Sequence, residues 1–142
     1  MRIIAGVAKD RAREAYFSTL TSEFGELEGL NVLDLYAGTG AIALEALSRG
    51  AAVVHAVENN DHAIKAITQN FDSIKSAQFP GTFHLYSMNV HRFVADVSQY
   101  KYHIIYIDPP YEVEDSDVTE TLIHLHENGF LHPDALIAVE RN

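Results

Sequence analysis

The chain has 142 residues, 47% of them hydrophobic, with no cysteine and 20 acids against 10 bases, a formal net charge of −10 at pH 7. That length suits one domain around one core, and the absence of cysteine excludes disulfides and thiolate-bound metal and fits a reducing cytoplasm. No run approaches the ~20 apolar residues of a membrane span, the start lacks the apolar core of a signal peptide, the eight His show no paired metal spacing, and the acidic balance has the wrong sign for a generic nucleic-acid binder.

Residues 1–10 read as a short strand, Arg2-Ile3-Ile4, and a turn at Gly6. The grouped bases Arg2, Lys9, Arg11 and Arg13 lie here. Ala12, Ala15, Tyr16 and Leu20 fall at helical spacing, so residues 11–20 are expected as an amphipathic helix. Arg11 and Arg13 face either a polyanionic ligand or solvent. Residues 21–30 are an acidic connector broken at Gly25 and Gly29.

Val32-Leu33-Asp34-Leu35 is a short apolar run holding one acid. Tyr36-Ala37-Gly38-Thr39-Gly40 follows, then a helix former from Ala41 to Arg49. A glycine-rich turn between a strand and a helix lets a ligand approach the backbone closely. The helix start adds free N–H groups and a positive dipole end. Gly38-x-Gly40-x-x-Ala43 also comes close to a dinucleotide-binding pattern. Asp34 argues for another cofactor, because a carboxylate there repels a pyrophosphate and suits a cationic amino-acid end, as in S-adenosylmethionine. Glu58 ends the next apolar run, Val53 to Val57, about 20 residues past the glycines. An acid there accepts hydrogen bonds from ribose hydroxyls, which fits either cofactor.

Gly50 closes the helix that follows the glycine turn as a left-handed residue. Asn59-Asn60-Asp61 offers N-caps for a helix from about His62 to Ile74, whose Ala63, Ile64, Ile67, Phe71 and Ile74 form a core stripe. After the turn at Phe79-Pro80-Gly81 a strand runs over 82–87. Asn89 follows it, placed to meet a base edge with its amide or to cap the helix over 90–97.

Tyr102 to Ile107 is strand-like and leads into Asp108-Pro109-Pro110-Tyr111. Two prolines fix φ and remove two donors, so the chain leaves the sheet rigidly and the carbonyl between them points one way. An Asp carboxylate beside a fixed carbonyl gives two acceptors for one NH₂ group on a flat ring. Tyr111 can stack on that ring. An ordinary strand-ending turn is the plain alternative. Glu112 to Asp117 is an acidic, solvated loop and helix start; that helix ends at Asn128-Gly129, and Leu136 to Val139 is the last strand.

With these residues in view, the chain resembles the RsmD family of bacterial methyltransferases. The likeness lies in Met1-Arg2-Ile3-Ile4-Ala5-Gly6, Arg11-Ala12-Arg13-Glu14-Ala15-Tyr16-Phe17, Asp34 to Gly40, Leu44 to Ala51 and Asp108 to Tyr111. The resemblance implies S-adenosylmethionine as donor and the guanine N2 amine of small-subunit (16S) ribosomal RNA as acceptor, within a small-subunit particle. It also implies an adenine contact at Asn89 and the backbone of Val90. It implies a longer basic hairpin near Asp10-Arg11 and two further strands after the last one; neither is in this sequence. The expected fold is α/β, a Rossmann-like class I methyltransferase, with an open, doubly wound, mostly parallel sheet. Counting strands from Val32–Leu35, the expected order is 3-2-1-4-5, with the final strands missing and the last strand an uncovered edge.

The sequence is therefore read as one methyltransferase domain over 1–142, with an N-terminal strand and helix in 1–20 and a core in 31–142. Catalytic candidates are Asp108, Pro109, Pro110 and Tyr111. Cofactor-binding candidates are Asp34, Tyr36, Ala37, Gly38, Gly40, Glu58, Asn59, Asn89 and Val90. No metal is expected, and the protein is expected to be a cytoplasmic monomer. The rival readings are an adenine-N6 methyltransferase acting on DNA, a cofactor-binding module without turnover, and a nicotinamide dehydrogenase.

Overall fold

The computed structural model describes residues 1–6 and 9–141. Its elements in chain order are β1 (Arg2–Gly6), α1 (Lys9–Phe24), β2 (Asn31–Leu35), α2 (Ala41–Ser48), β3 (Val53–Glu58), α3 (Asp61–Ile74), a 3₁₀ turn (Lys75–Ala77), β4 (Thr82–Ser87), α4 (Val90–Ala95), β5 (Tyr102–Ile107), α5 (Asp115–Glu127) and β6 (Leu131–Glu140). The strands form one sheet in the order β1-β6-β5-β2-β3-β4. Every pairing is parallel. From β4 to β6 this is the expected 3-2-1-4-5 arrangement.

The central strands read as near-continuous apolar runs because both faces are covered. Val32, Val54, Ile104 and Leu136 face α1, α2 and α3, where they meet Phe17, Leu20, Ala43, Leu47 and Ile67. Leu33, Leu35, Val57, Ile105 and Ile137 face α4 and α5, where they meet Val90, Val94, Val118 and Leu125. Each such side chain, fully buried, contributes about 1.5–3 kcal/mol.

Four expectations need correction. The last strand is not an uncovered edge, because β1 pairs along it from Arg2↔Leu136 to Gly6↔Glu140. Gly6 therefore belongs to a strand, and the chain that follows it, residues 7 and 8, lies outside the described residues. The last strand is also longer than 136–139. It starts at Leu131, which pairs with Tyr102, and the register then shifts before Ile104↔Leu136. The extra residues there include Pro133, which has no N–H to give a ladder; bulges are where a sheet tolerates one. The first helix runs from Lys9 to Phe24, beyond the expected 11–20 at both ends.

Under the β3–β4 edge, rings take the place of a helix. His55 is 4% exposed. Its ring centroid lies 4.7 Å from Tyr100, 5.3 Å from Tyr86 and 5.7 Å from Tyr102. Its Nδ1 shares a 2.6 Å hydrogen bond with Tyr102 Oη. Burial, helped by the neighbouring His84, pushes its pKa down to about 4. Above pH 6.5 both folded and unfolded states hold this ring neutral. As pH falls from 6.5 toward 4 the unfolded chain takes up a proton that the folded one refuses, so stability drops. The full loss is about 3 kcal/mol. Urea unfolding is expected to show wild type losing stability relative to His55→Phe as pH falls from 6.5 to 4.5, a difference in which contributions common to both chains cancel. An unchanged slope in the variant would assign the pH dependence to other groups.

Candidate active site

β2 and β5 lie side by side, yet the chain reaches β5 only after passing through β3 and β4 on the other side. A sheet whose order reverses in this way opens a crevice at the carboxyl ends of the two strands. The glycine turn leaves β2 there, and Asp108 leaves β5 beside it. Leu35 and Ile107 are register partners, and Asp108 N donates to Leu35 O at 3.4 Å. The two motifs, about 70 residues apart in sequence, therefore share one rim.

The turn is built from left-handed residues. Tyr36, Gly38 and Gly40 have φ of 63°, 59° and 81°. Tyr36 holds its conformation against a steric cost of about 1–2 kcal/mol. Its half-buried ring packs toward the α5 side, near Asp117 and Arg141. A side chain at Gly40 would put its Cβ 2.4 Å from Ile67 Cγ1, so α3 can pack under the turn only against glycine. Around Gly38 nothing lies within 4 Å of where a Cβ would be, which leaves the turn's outer side open. Ala37 N donates to Val57 O at 3.1 Å, tying the turn to β3.

Asp34 sits beneath this turn, 1% exposed. Gly40 is the N-cap of α2 and has no side chain to cap it. Asp34 Oδ2 supplies the missing acceptor, taking the Ala43 N–H at 3.2 Å. Its Oδ1 is buried without a hydrogen-bond partner among the described residues. Burial pushes the carboxyl up to about 8; the Ala43 hydrogen bond opposes this, and the fields of Asp108 and Glu58 add to it. A buried acceptor in this condition fits a cationic ligand group.

Glu58 closes the other wall. Its Oε1 accepts from Gly38 N at 2.8 Å, and its Oε2 from Asn59 N at 3.2 Å and Asn60 N at 3.0 Å. A carboxylate has about four lone-pair positions, so Oε1 keeps one for a ligand hydroxyl. Asn60, not Asn59, caps α3, accepting from Ala63 N at 3.0 Å. Asn89 caps α4, its Oδ1 accepting from His91 N at 2.8 Å and Arg92 N at 3.4 Å. The oxygen is committed to the helix, so the amide NH₂ is the part that can meet a base. Val90 is buried in the core, and only its backbone can face a ligand.

At the grip, Asp108 is partly buried, Pro109 buried and Pro110 exposed. The Tyr111 ring is 77% exposed. The loop after it is held by a residue that the sequence did not single out. Arg141, just past β6, donates Nη1 to Pro110 O at 3.3 Å and Nη2 to Val113 O. It also pairs with Asp115 at 3.1 Å. Val113 N donates back to Pro110 O at 3.1 Å. The acidic loop is thus ordered by a guanidinium rather than merely solvated. The excess of acids over 112–117 was the available signal that one cation must answer them. The side chains of Arg11 and Arg13 lie outside the described residues.

An open parallel sheet, a glycine turn after its central strand and a polar rim across the switch point define the class I methyltransferase fold. A methyltransferase that acts on magnesium protoporphyrin IX, from Synechocystis PCC 6803, solved with bound SAM, shares that fold with a TM-score of 0.67 over 84% of this chain and 53% of its own, at 16% identity. The model of the family described as Conserved hypothetical protein 95 matches residues 1–142, and the chain belongs to that family, the RsmD family of the resemblance above. Ribosomal RNA small subunit methyltransferase D of Escherichia coli K12 is 32% identical over 131 residues, covering 92% of this chain and 61% of that protein. The chain thus spans about three-fifths of that relative's length. Escherichia coli yhhF, solved as a candidate methyltransferase, is 31% identical, with a TM-score of 0.79 over 93% of this chain and 69% of its own.

Replacing Arg141 with Met removes the cation that holds the loop without touching the sheet's core. Amide exchange at Val113 is expected to speed up by about tenfold while exchange in β2 and β5 stays unchanged. Hydrogen exchange read by mass spectrometry checks this, and an unaltered loop would show that Arg141 is not what orders it.

Proposed function

We propose that this chain is an S-adenosylmethionine-dependent methyltransferase that acts on RNA, at the exocyclic N2 amine of a guanine in small-subunit ribosomal RNA. It works in the cytoplasm as a monomer. The observation that carries the reading is the shared rim: the acceptors of the grip stand beside a buried carboxylate, one of whose oxygens has no hydrogen-bond partner among the described residues. The relatives' names support the RNA substrate, and the family supports the donor.

Asp34 receives the ammonium of the donor's amino-acid end, and Gly38 and Gly40 let its backbone lie close. Tyr36, Ala37 and Asn59 line the same cradle. Glu58 accepts one ribose hydroxyl. Asn89 and the Val90 backbone meet the adenine edge. When bound, the donor supplies an electrophilic methyl group on a positively charged sulfur. Asp108 and the Pro109 carbonyl accept the two amine hydrogens and turn the nitrogen lone pair toward that methyl, while Tyr111 stacks on the base. Transfer of the methyl group to that nitrogen would form the N–C bond as the C–S bond broke, leaving the bonding pair on sulfur. The methylated amine then carries a positive charge and gives a proton to water or to Asp108, so no strong base is required.

The surface charge bears on the substrate. Arg2, Arg49 and Arg141 are paired with Glu23, Glu45 and Asp115. Phosphate contacts then fall to other bases, among them Lys9, Arg11 and Arg13.

With labelled cofactor and immature small subunits, Asp108→Ala is expected to lower kcat by at least ~100-fold. Cofactor affinity, measured by calorimetry, should stay within about threefold. Mass analysis of the product is expected to give N2-methylguanosine. N6-methyladenine in DNA would move the activity to the rival substrate, and cofactor binding without turnover on any RNA would reduce the chain to a binding module. Equal rates for wild type and variant would remove Asp108 from the chemistry.

A further inference from the structure

Two of the buried side-chain atoms without a hydrogen-bond partner among the described residues are Asp34 Oδ1 and Tyr16 Oη. One is an acceptor and the other carries a donor. Tyr16 lies on α1, is 5% exposed and belongs to the same core cluster as Ala43, whose N–H holds the other oxygen of Asp34. Its ring centroid is 4.9 Å from that of Tyr106. Tyr106 is the register partner of Asp34 on the adjacent strand, so the two side chains stand on one face of the sheet. The phenol therefore packs against the residue beside the carboxylate. Asp34 is also the leading charge acting on Tyr16. A buried donor and a buried acceptor are both costly when unmet, and neighbours of this kind satisfy each other.

We infer that Tyr16 is a positioning residue for Asp34, its hydroxyl donating to Asp34 Oδ1 across one enclosed water. The contact does three things. It meets both orphaned atoms. It sets which way the free oxygen of Asp34 faces. It supports the ionised carboxylate, which the site needs when a cation arrives, against the groups that oppose it. Those groups are Glu58 from the end of β3 and Asp108 from the end of β5; Tyr106 packs alongside from β5, with Glu140 of β6 acting on it in turn. The Ala43 N–H of α2 acts with Tyr16. The helix α1 thereby becomes part of the cofactor site. The consequence for binding rests on the role proposed above for Asp34; the contact itself does not.

The test follows the ligand-free protein by ¹³C NMR, with Asp carboxyl and Tyr ζ carbons labelled, from pH 5.5 to 9.5. In wild type, the Tyr16 ζ carbon is expected to shift with the same midpoint as the Asp34 carboxyl. Tyr16→Phe keeps the ring and removes the donor; it is expected to raise the Asp34 midpoint by about one pH unit. In calorimetry at pH 7 the same variant should bind S-adenosylmethionine about tenfold more weakly, and the gap should close at pH values above both midpoints. A Tyr16 carbon that stays flat through the Asp34 titration overturns the inference, and this reading needs no variant to fold. An Asp34 midpoint that Tyr16→Phe leaves in place overturns it too. Failure of the cofactor reading looks different: wild type would bind no S-adenosylmethionine at any pH, while the shared midpoint would still be seen.

Discussion

One hydrogen bond, from the Ala43 amide to a buried carboxylate, joins the sheet to the glycine turn above it. A helix that begins on glycine lacks a side-chain acceptor at its first turn. Asp34 reaches up from the strand to provide one. That constraint fixes α2 over β2, and with it the height of the turn above the sheet. Gly40 then has to be glycine, because α3 packs under it through Ile67. Glu58 braces the same turn from β3 by holding the Gly38 amide. The cradle is thus held by two carboxylates that each keep an acceptor position in reserve. Preformed acceptors lower the ordering cost of binding a cationic, hydroxyl-bearing ligand.

Much of this was readable from the residues, and the reasons are local. The strand before Gly38 declares itself by its apolar run, and the strand before Asp108 by the same pattern ended with two prolines. Both are short-range signals, and the parallel sheet follows from strands alternating with helices. The adjacency of the two motifs follows from the order of the strands rather than from either motif alone. What escaped was long-range or counter to propensity. β1 is short and lies on β6, more than 120 residues away, and no local pattern states such a partner. Pro133 reads as a breaker, yet the bulge carries the strand through it. Tyr36 takes a conformation that suits glycine. Arg141 is one charge beyond a strand end, and its importance shows only when the acidic loop folds onto it.

The division of labour across the sheet is also physical. One face buries aliphatic side chains under three helices, and the part of the other face near β4 is filled by rings around His55. Rings with polar tips cover an edge that helices leave open, but they need neutral partners to do so. The same face is therefore the one sensitive to acid. The α1 face, by contrast, buries Asp34 beside Tyr106.

The pairing of β1 with β6 imposes an order of events. β6 follows β1 by more than 120 residues in sequence, so residues 2–6 cannot find their place until that later strand has been made. Until then the central strands can assemble with their own helices, and the opening segment travels as an unattached flap. Closing the sheet is thus a late, high-contact-order step, and it docks the strand that leads into α1, the helix that carries Tyr16.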